Sequence, residues 1–218
     1  MRILVTGGAG YIGSITVERL LDAGHEVTVL DTLVTGHREA VPEGAELVAG
    51  SVGDQQSVGR LLRERGIEAV LHCAARSLVG QSLSEPALYY QENVVGGVAL
   101  LNAMREEQVH QLVFSSTAAV YGTPRSTPID EDAPTRPINP YGATKLAFEE
   151  AMRWYGAACG IRSVSLRYFN AAGASVERGE QHEPETHLIP NLLKACLDGP
   201  PLTVFGNDYP TPDGTAIR

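Results

Sequence analysis

Hydrophobic positions follow two periods along the first 167 residues. Short apolar runs at 2–6, 26–30, 45–49, 69–73, 111–115 and 162–166 predict strands. Between them, apolar residues recur every three to four positions at 11–23, 55–65, 86–107 and 141–158, which predicts helices. Gly24, Gly66 and Gly160 stand where three of these helices stop. Strands separated by helices of this length imply right-handed crossovers and a parallel sheet with helices on both faces. The expected class is therefore a doubly wound α/β fold.

Beyond Arg167 the texture changes. Residues 171–186 are polar and contain glycine, 188–197 predicts one helix, and 202–205 a short strand. Residues 206–214 are rich in Gly, Pro and Asp and have no core-forming pattern. The expected organisation is a nucleotide-binding domain over 1–167 and part of a small C-terminal substrate lobe over 168–218.

Composition narrows the partners. The chain is 43% hydrophobic and 20% charged, and its net charge is -9. That balance excludes a phosphate-backbone binder but permits a small anion held by local amides. Cys73, Cys159 and Cys196 are odd in number and far apart. They read as buried thiols in a reducing compartment, with neither a disulfide framework nor zinc spacing. Gly7 and Gly8 interrupt the first apolar run, so neither a signal peptide nor a membrane span is expected, and the cytoplasm is the expected location.

The candidate chemistry starts between the first strand and first helix, in Thr6-Gly7-Gly8-Ala9-Gly10-Tyr11-Ile12-Gly13. Gly7, Gly10 and Gly13 give a GxxGxxG spacing, a variant of the dinucleotide fingerprint of a Rossmann-type sheet. Glycine allows the tight turn and brings backbone against a pyrophosphate on the helix N-terminus. Asp31 ends the second strand, where a carboxylate accepts hydrogen bonds from a ribose diol and repels a 2′-phosphate; NAD is expected over NADP. An ordinary strand-end turn residue is the other reading of Asp31.

Tyr141 and Lys145 follow Pro140 and share one helical face at i and i+4. A nearby ammonium favours a phenolate, so the pair suits proton abstraction from a sugar hydroxyl. Alone it fits a solvated helix face better than a catalytic pair. Thr117 supplies a third candidate, a hydroxyl at the C-terminal end of a parallel strand.

Together these residues resemble the extended short-chain dehydrogenase/reductase superfamily, and more narrowly its UDP-glucose (UDP-galactose) 4-epimerase branch. Matching blocks include Val5–Ser14, Leu30-Asp31, His72-Cys73-Ala74-Ala75, Glu92-Asn93-Val94 and Phe114-Ser115-Ser116-Thr117. They continue with Tyr141 to Lys145, Leu166-Arg167-Tyr168-Phe169-Asn170 and Phe205-Gly206-Asn207-Asp208-Tyr209-Pro210-Thr211. The resemblance implies 4-epimerisation of a UDP-hexose through a 4-keto sugar with bound NAD. Tyr141 would take the proton of the 4-hydroxyl, Lys145 would bond the nicotinamide ribose and depress the Tyr141 pKa, and Thr117 would hold the 4-oxygen. It further implies cofactor contacts from Tyr11, Ile12, Asp31, Thr32, Ser51, Val52, Cys73, Ala74, Ala75, Arg76, Asn93 and Phe169. Asn170, Leu188, Phe205 and Arg218 would hold the uridine diphosphate, and a homodimer is expected through the helices at 86–107 and 141–158.

Some positions depart from the family. Ser51 stands where an Asp usually caps the adenine amine, Arg76 near where a lysine is common, and Cys73 where an aromatic residue is common. Ala118 and Ala119 replace the acid that a 4,6-dehydratase or decarboxylase needs beside its Ser/Thr. In the family the chain continues past Arg218 into more of the substrate lobe. A shortened NAD- or UDP-sugar-binding protein without turnover is therefore the alternative function.

Overall fold

The computed structural model describes residues 1–183, 185–197, 199–204 and 206–215. The chain forms two compact units, Met1–Gly179 and Glu180–Arg218. The first is built on six parallel strands: β1 (Arg2–Thr6), β2 (Glu26–Asp31), β3 (Glu46–Ala49), β4 (Ala69–His72), β5 (Gln111–Thr117) and β6 (Arg162–Tyr168). Their order is β3-β2-β1-β4-β5-β6, with the chain reversing direction across the sheet between β1 and β4. This is the doubly wound Rossmann-type arrangement, which places ligands at the C-terminal strand ends near that reversal.

Strand alternation explains how both faces are filled. Side chains of successive residues point to opposite faces. Leu4, Leu30, Val70, Leu112 and Phe114 pack with Leu100, Leu101, Met104 and Phe148 in one core cluster. Ile3, Val5, Val27 and Val29 pack with Val17 in the other. β6 lies at the sheet edge, and its Val164 and Leu166 are exposed.

The helices of this unit are α1 (Tyr11–Asp22), α2 (Gln55–Glu64), α3 (Val79–Ser84), α4 (Pro86–Tyr89), α5 (Gly96–Glu106) and α6 (Pro140–Cys159). The single helix expected over 86–107 is interrupted by a π-helical stretch, Tyr90–Val95, between α4 and α5. Such an insertion turns a side chain out of its expected register, and here it carries Asn93. The α3 turn was not visible as a periodic segment. Gly97 is what lets α5 and α6 meet: a Cβ there would stand 2.5 Å from the Phe148 ring.

β5 and β6 each run further than the apolar pattern indicated, to Thr117 and Tyr168, because the parallel ladder between them continues to Thr117↔Tyr168. Of the loop expected over 171–186, the part up to Gly179 belongs to the first unit. Arg178 donates to Glu18 Oε2 at 2.9 Å and to the Ala40 carbonyl at 2.9 Å, and Ser175 donates to Glu18 at 2.8 Å.

In the second unit, α7 (Leu188–Cys196) forms as the apolar spacing predicts. The strand expected at 202–205 does not: Leu202–Val204 has no strand conformation, and Phe205 lies outside the described residues. A strand needs a neighbour for its ladder hydrogen bonds, and no described segment pairs with this one. Cys196 also corrects the expectation of buried thiols. It is exposed on α7, while Cys73 and Cys159 are partly covered. Among the described residues no helix is long and apolar enough to cross a membrane.

Candidate active site

The glycine loop joins the C-terminal end of β1 to α1. Gly7 adopts φ +72°, and a Cβ on it would meet the Ala74 backbone nitrogen at 2.5 Å. A Cβ on Gly13 would stand 2.1 Å from the Gly7 carbonyl oxygen. Helix α1 can therefore press against the turn only because both positions lack a side chain. Its N-terminus has no side-chain cap and no acidic residue in the first turn. A helix end of that kind is suited to an anion.

Asp31 serves this loop directly. Its carboxylate accepts from the Ala9 amide at 3.0 Å and from the Leu33 amide at 2.9 Å. A carboxylate offers about four lone-pair sites, so these two bonds leave capacity for a ribose diol. Thr32 beside it is exposed, and Ser51 accepts from the Gly53 amide at 3.1 Å. The Val52 side chain packs into the core, so its backbone alone can face a ligand.

Below the loop, Thr6 and His72 share a 2.6 Å hydrogen bond between β1 and β4. The His72 ring lies 5.6 Å from that of Phe114 and 5.3 Å from that of Phe148. Burial, helped by the charge of Lys145, lowers its pKa to about 3 and keeps it neutral. Cys73 follows, its amide donating to the Thr6 carbonyl at 2.9 Å. Burial pushes its thiol up to about 12, so Cys73 is an inert wall rather than a nucleophile.

Ala74 and Ala75 continue past the loop to Arg76, whose backbone is clamped by Asn93. Asn93 Oδ1 accepts from the Arg76 amide at 2.8 Å, and its Nδ2 donates to the Arg76 carbonyl at 3.1 Å and to Thr144 Oγ1 at 3.1 Å. The π-helical register thus spends the Asn93 side chain on joining the β4 loop to α6.

Tyr141, Lys145 and Thr117 come together. Asn139 caps α6 by accepting from the Gly142 amide at 2.8 Å, and Pro140 fixes the first turn. A Cβ on Gly142 would meet the Ala119 carbonyl at 2.6 Å, so α6 begins in contact with the turn that follows β5. That closeness brings the Thr117 hydroxyl to the Tyr141 oxygen. Thr117 Oγ1 also accepts from the Ala119 amide at 3.1 Å, which frees its proton for the tyrosine.

Lys145 is 3% exposed and donates to the Ser115 carbonyl at 2.9 Å. Its Nζ lies 4.7 Å from the Phe114 ring centre and 5.9 Å from that of Tyr141. Burial lowers its pKa to about 8, against the opposing pull of Cys73 and Glu149. Lys145 is not among the groups that move the Tyr141 pKa in the cofactor-free protein. Burial raises the Tyr141 phenol above its ordinary value, and only the Thr117 hydrogen bond opposes it. The lysine spends one of its three donors on a backbone carbonyl and carries its charge into the site.

Behind these residues lies a network that the motifs did not single out. Ser116 donates to Glu149, and Glu149 accepts from Arg167 at 2.7 and 3.1 Å. Arg167 also donates to the Tyr121 hydroxyl at 2.8 Å. The Glu149 hydrogen bond is the main reason that the Arg167 pKa rises further. Helical spacing could have exposed Glu149, since it follows Lys145 at i+4 on the face of α6 that Tyr141 begins. We expect Glu149→Gln to cost about 2 kcal/mol in chemical unfolding, below the full cost for a buried pair because Arg167 keeps 25% of its side chain exposed. Unfolding midpoints equal to those of the parent would show that the network carries no stability.

Other expected residues lie further out. Phe169 is 61% exposed and Asn170 is also exposed, just past β6. The Tyr11 hydroxyl donates to the Gly173 carbonyl at 2.7 Å, while Ile12 is half-buried in the first turn of α1. Leu188 opens α7 in the second unit and is exposed. Phe205 and Arg218 lie outside the described residues.

The sequence profile of the NAD dependent epimerase/dehydratase family matches residues 3–218. The chain belongs to this family. It is 52% identical to the UDP-glucose 4-epimerase of Lactobacillus helveticus over its whole length, covering 67% of that relative. The corresponding enzyme of Corynebacterium glutamicum is 53% identical over the whole chain, which covers 66% of it. The crystal structure of the Brucella ovis UDP-glucose 4-epimerase in complex with NAD superposes with a TM-score of 0.93 at 45% identity, over 97% of this chain and 66% of that one. The chain thus spans about two thirds of the length of the epimerases it matches.

Proposed function

We propose that this chain carries the cofactor-binding and proton-transfer residues of an NAD-dependent UDP-hexose 4-epimerase, interconverting UDP-galactose and UDP-glucose through a 4-keto sugar. The observation that supports it most is the Thr117–Tyr141–Lys145 cluster at the end of β5, on the same C-terminal edge of the sheet as the glycine loop.

The residues present fit NAD. The Gly7 and Gly13 positions form a cradle that side chains would fill, and the uncapped α1 N-terminus suits its pyrophosphate. Gly10, Tyr11, Ile12, Asp31, Thr32, Ser51, the Val52 backbone, Cys73, Ala74, Ala75, Arg76, Asn93 and Phe169 complete the proposed lining. When bound, NAD supplies reversible oxidation of the sugar C4 and a positive ring that favours a nearby phenolate.

Tyr141 then accepts the proton of the 4-hydroxyl and returns it after the keto sugar presents its other face. Thr117 steadies the 4-oxygen, and Lys145 keeps a positive charge behind the tyrosine while orienting the ribose. Asn170, Leu188, Phe205 and Arg218 are proposed to hold the uridine diphosphate. The functional division falls at 1–167 for the cofactor and 168–218 for part of the substrate lobe. Ala118 and Ala119 leave no acid beside Thr117, which disfavours a dehydratase.

A homodimer through α4–α5 and α6 belongs to the same reading, supported by the exposure of Tyr90, Val95 and Trp154. Cytoplasmic residence goes with it, supported by three thiols without a disulfide.

The test is incubation of the chain with NAD⁺ and UDP-galactose. UDP-glucose is the expected product. A 4-keto-6-deoxy sugar would make the protein a dehydratase, and retained NAD without any interconversion would make it a binding protein. We also expect kcat to fall as pH rises through about 8. The Lys145 ammonium is present below that value and lost above it. A rate that stays flat to pH ~10, the ordinary lysine range, would remove the ammonium from the mechanism.

A further inference from the structure

The second unit contains a cluster that the epimerase reading does not use. Glu180, His182, Glu185 and His187 each offer one ligand atom, and all four atoms lie within 4.8 Å of one another. His187 Nδ1 stands 2.8 Å from a carboxylate oxygen of Glu180 and 2.8 Å from one of Glu185. His182 Nδ1 is 3.4 Å from the same Glu180 oxygen, and the centres of the two imidazole rings lie 4.7 Å apart, the rings tilted at 48°. The carboxylates are withdrawn from solvent: the Glu185 side chain is 5% exposed and that of Glu180 13%.

Two carboxylates drawn onto one ring nitrogen call for a positive charge there, supplied by a protonated imidazole or by a bound cation. A single imidazole N–H points at one oxygen at a time, so it serves two acceptors poorly. A cation at the centre would satisfy both carboxylates and both imidazoles together. The donor set selects its type. Two nitrogens and two oxygens suit zinc or a similar transition metal, whereas calcium and magnesium prefer oxygen alone.

The spacing is close to what such an ion needs. Ligands about 2.0–2.1 Å from a tetrahedral ion lie roughly 3.3 Å apart, so the 2.8 and 3.4 Å contacts are near that value, while ligand atoms separated by up to 4.8 Å would have to draw together on binding.

We propose that Glu180, His182, Glu185 and His187 form a binding site for one divalent transition-metal ion, with zinc as the fitting case. The site would be structural, since all four positions are filled by protein. His187 is also the residue before α7, so the ion would fix the start of that helix.

The test uses the untagged full chain, stripped with a chelator and titrated with ZnCl₂ by calorimetry. One ion per chain is expected, and Mg²⁺ should not displace it. Affinity should fall at least tenfold in His187→Ala and in Glu185→Gln, and remain unchanged in Glu183→Gln. Glu185→Gln keeps the side-chain volume, so it remains informative if the histidine variant folds poorly. Titration with Co²⁺ should give the intense visible bands of a four-coordinate site. Absence of zinc binding, equal binding by the double variant His182→Ala/His187→Ala, or a weak six-coordinate cobalt spectrum would each overturn the proposal.

Discussion

Tyr141→Phe is expected to lower kcat by about 10²–10⁴-fold, the usual worth of a positioned acid–base group, while leaving bound NAD unchanged. The phenol ring is half-buried and packs edge-on against Tyr89 at 6.5 Å, contacts that phenylalanine preserves. The loss should therefore fall on kcat and kcat/KM alike, as for an interaction made only in the transition state. In the cofactor-free protein burial holds the phenol above its ordinary pKa, so this tyrosine is protonated at neutral pH.

The proposed mechanism requires that saturation with NAD⁺ pull this titration down. Ultraviolet difference titration should show one tyrosinate step moving to lower pH with NAD⁺ and missing in the variant. A variant that keeps the parental rate, or a step that does not move, would remove Tyr141 from proton transfer. Thr117→Val, which keeps the shape and deletes the hydroxyl, should cost about tenfold or more in kcat.

Gly13→Ala is expected to abolish NAD retention, with affinity at least a hundredfold weaker by equilibrium dialysis. Its Cβ would lie 2.1 Å from the Gly7 carbonyl and 2.8 Å from the Gly8 Cα. These are backbone atoms on both sides, so no side chain can swing away and the loop itself must open. Overpacking of this kind costs about 1–3 kcal/mol where the surroundings can give, and here the cost falls on the turn that would receive the pyrophosphate. Gly24→Ala is the control. It too has a positive φ, of +79°, but nothing lies within 4 Å of its Cβ, so it should cost about 1 kcal/mol and keep NAD. Undiminished NAD binding by Gly13→Ala would show that the loop is not the cofactor cradle.

These two predictions draw on different levels of legibility. The glycine loop could be read from residue spacing, because its constraint is local. A tight turn between a strand and a helix needs missing side chains at fixed intervals, whatever else the chain does. Tyr141 and Lys145 were legible only as a shared helical face. The structure added what surrounds them: Lys145 donates to the Ser115 carbonyl, and in the cofactor-free protein burial raises the tyrosine pKa. Spacing along a helix gives proximity, but burial and competing acceptors come from strands distant in sequence.

The same division holds elsewhere. Asp31 was read for a ribose or for a turn, and its carboxylate ties Ala9 and Leu33 while keeping room for more. Asn93 is expected near the cofactor, and its amide also joins Arg76 to Thr144 from a π-helical stretch that periodicity could not signal. The strand expected at 202–205 shows the opposite error over its described residues, 202–204. They suit a strand, but strands exist only in pairs.

By itself the sequence determined the alternation of strands and helices, the parallel class of sheet, the glycine cradle and the helix that carries Tyr141 and Lys145. Each follows from periodicity or from a turn that only certain residues can make. Only the tertiary structure decided which groups share a charge, a proton or a hydrogen bond: Thr117 with Tyr141, Lys145 with Ser115, and Ser116 through Glu149 to Arg167. Those partners lie on different strands and helices, and no local pattern records the distances that the sheet sets between them.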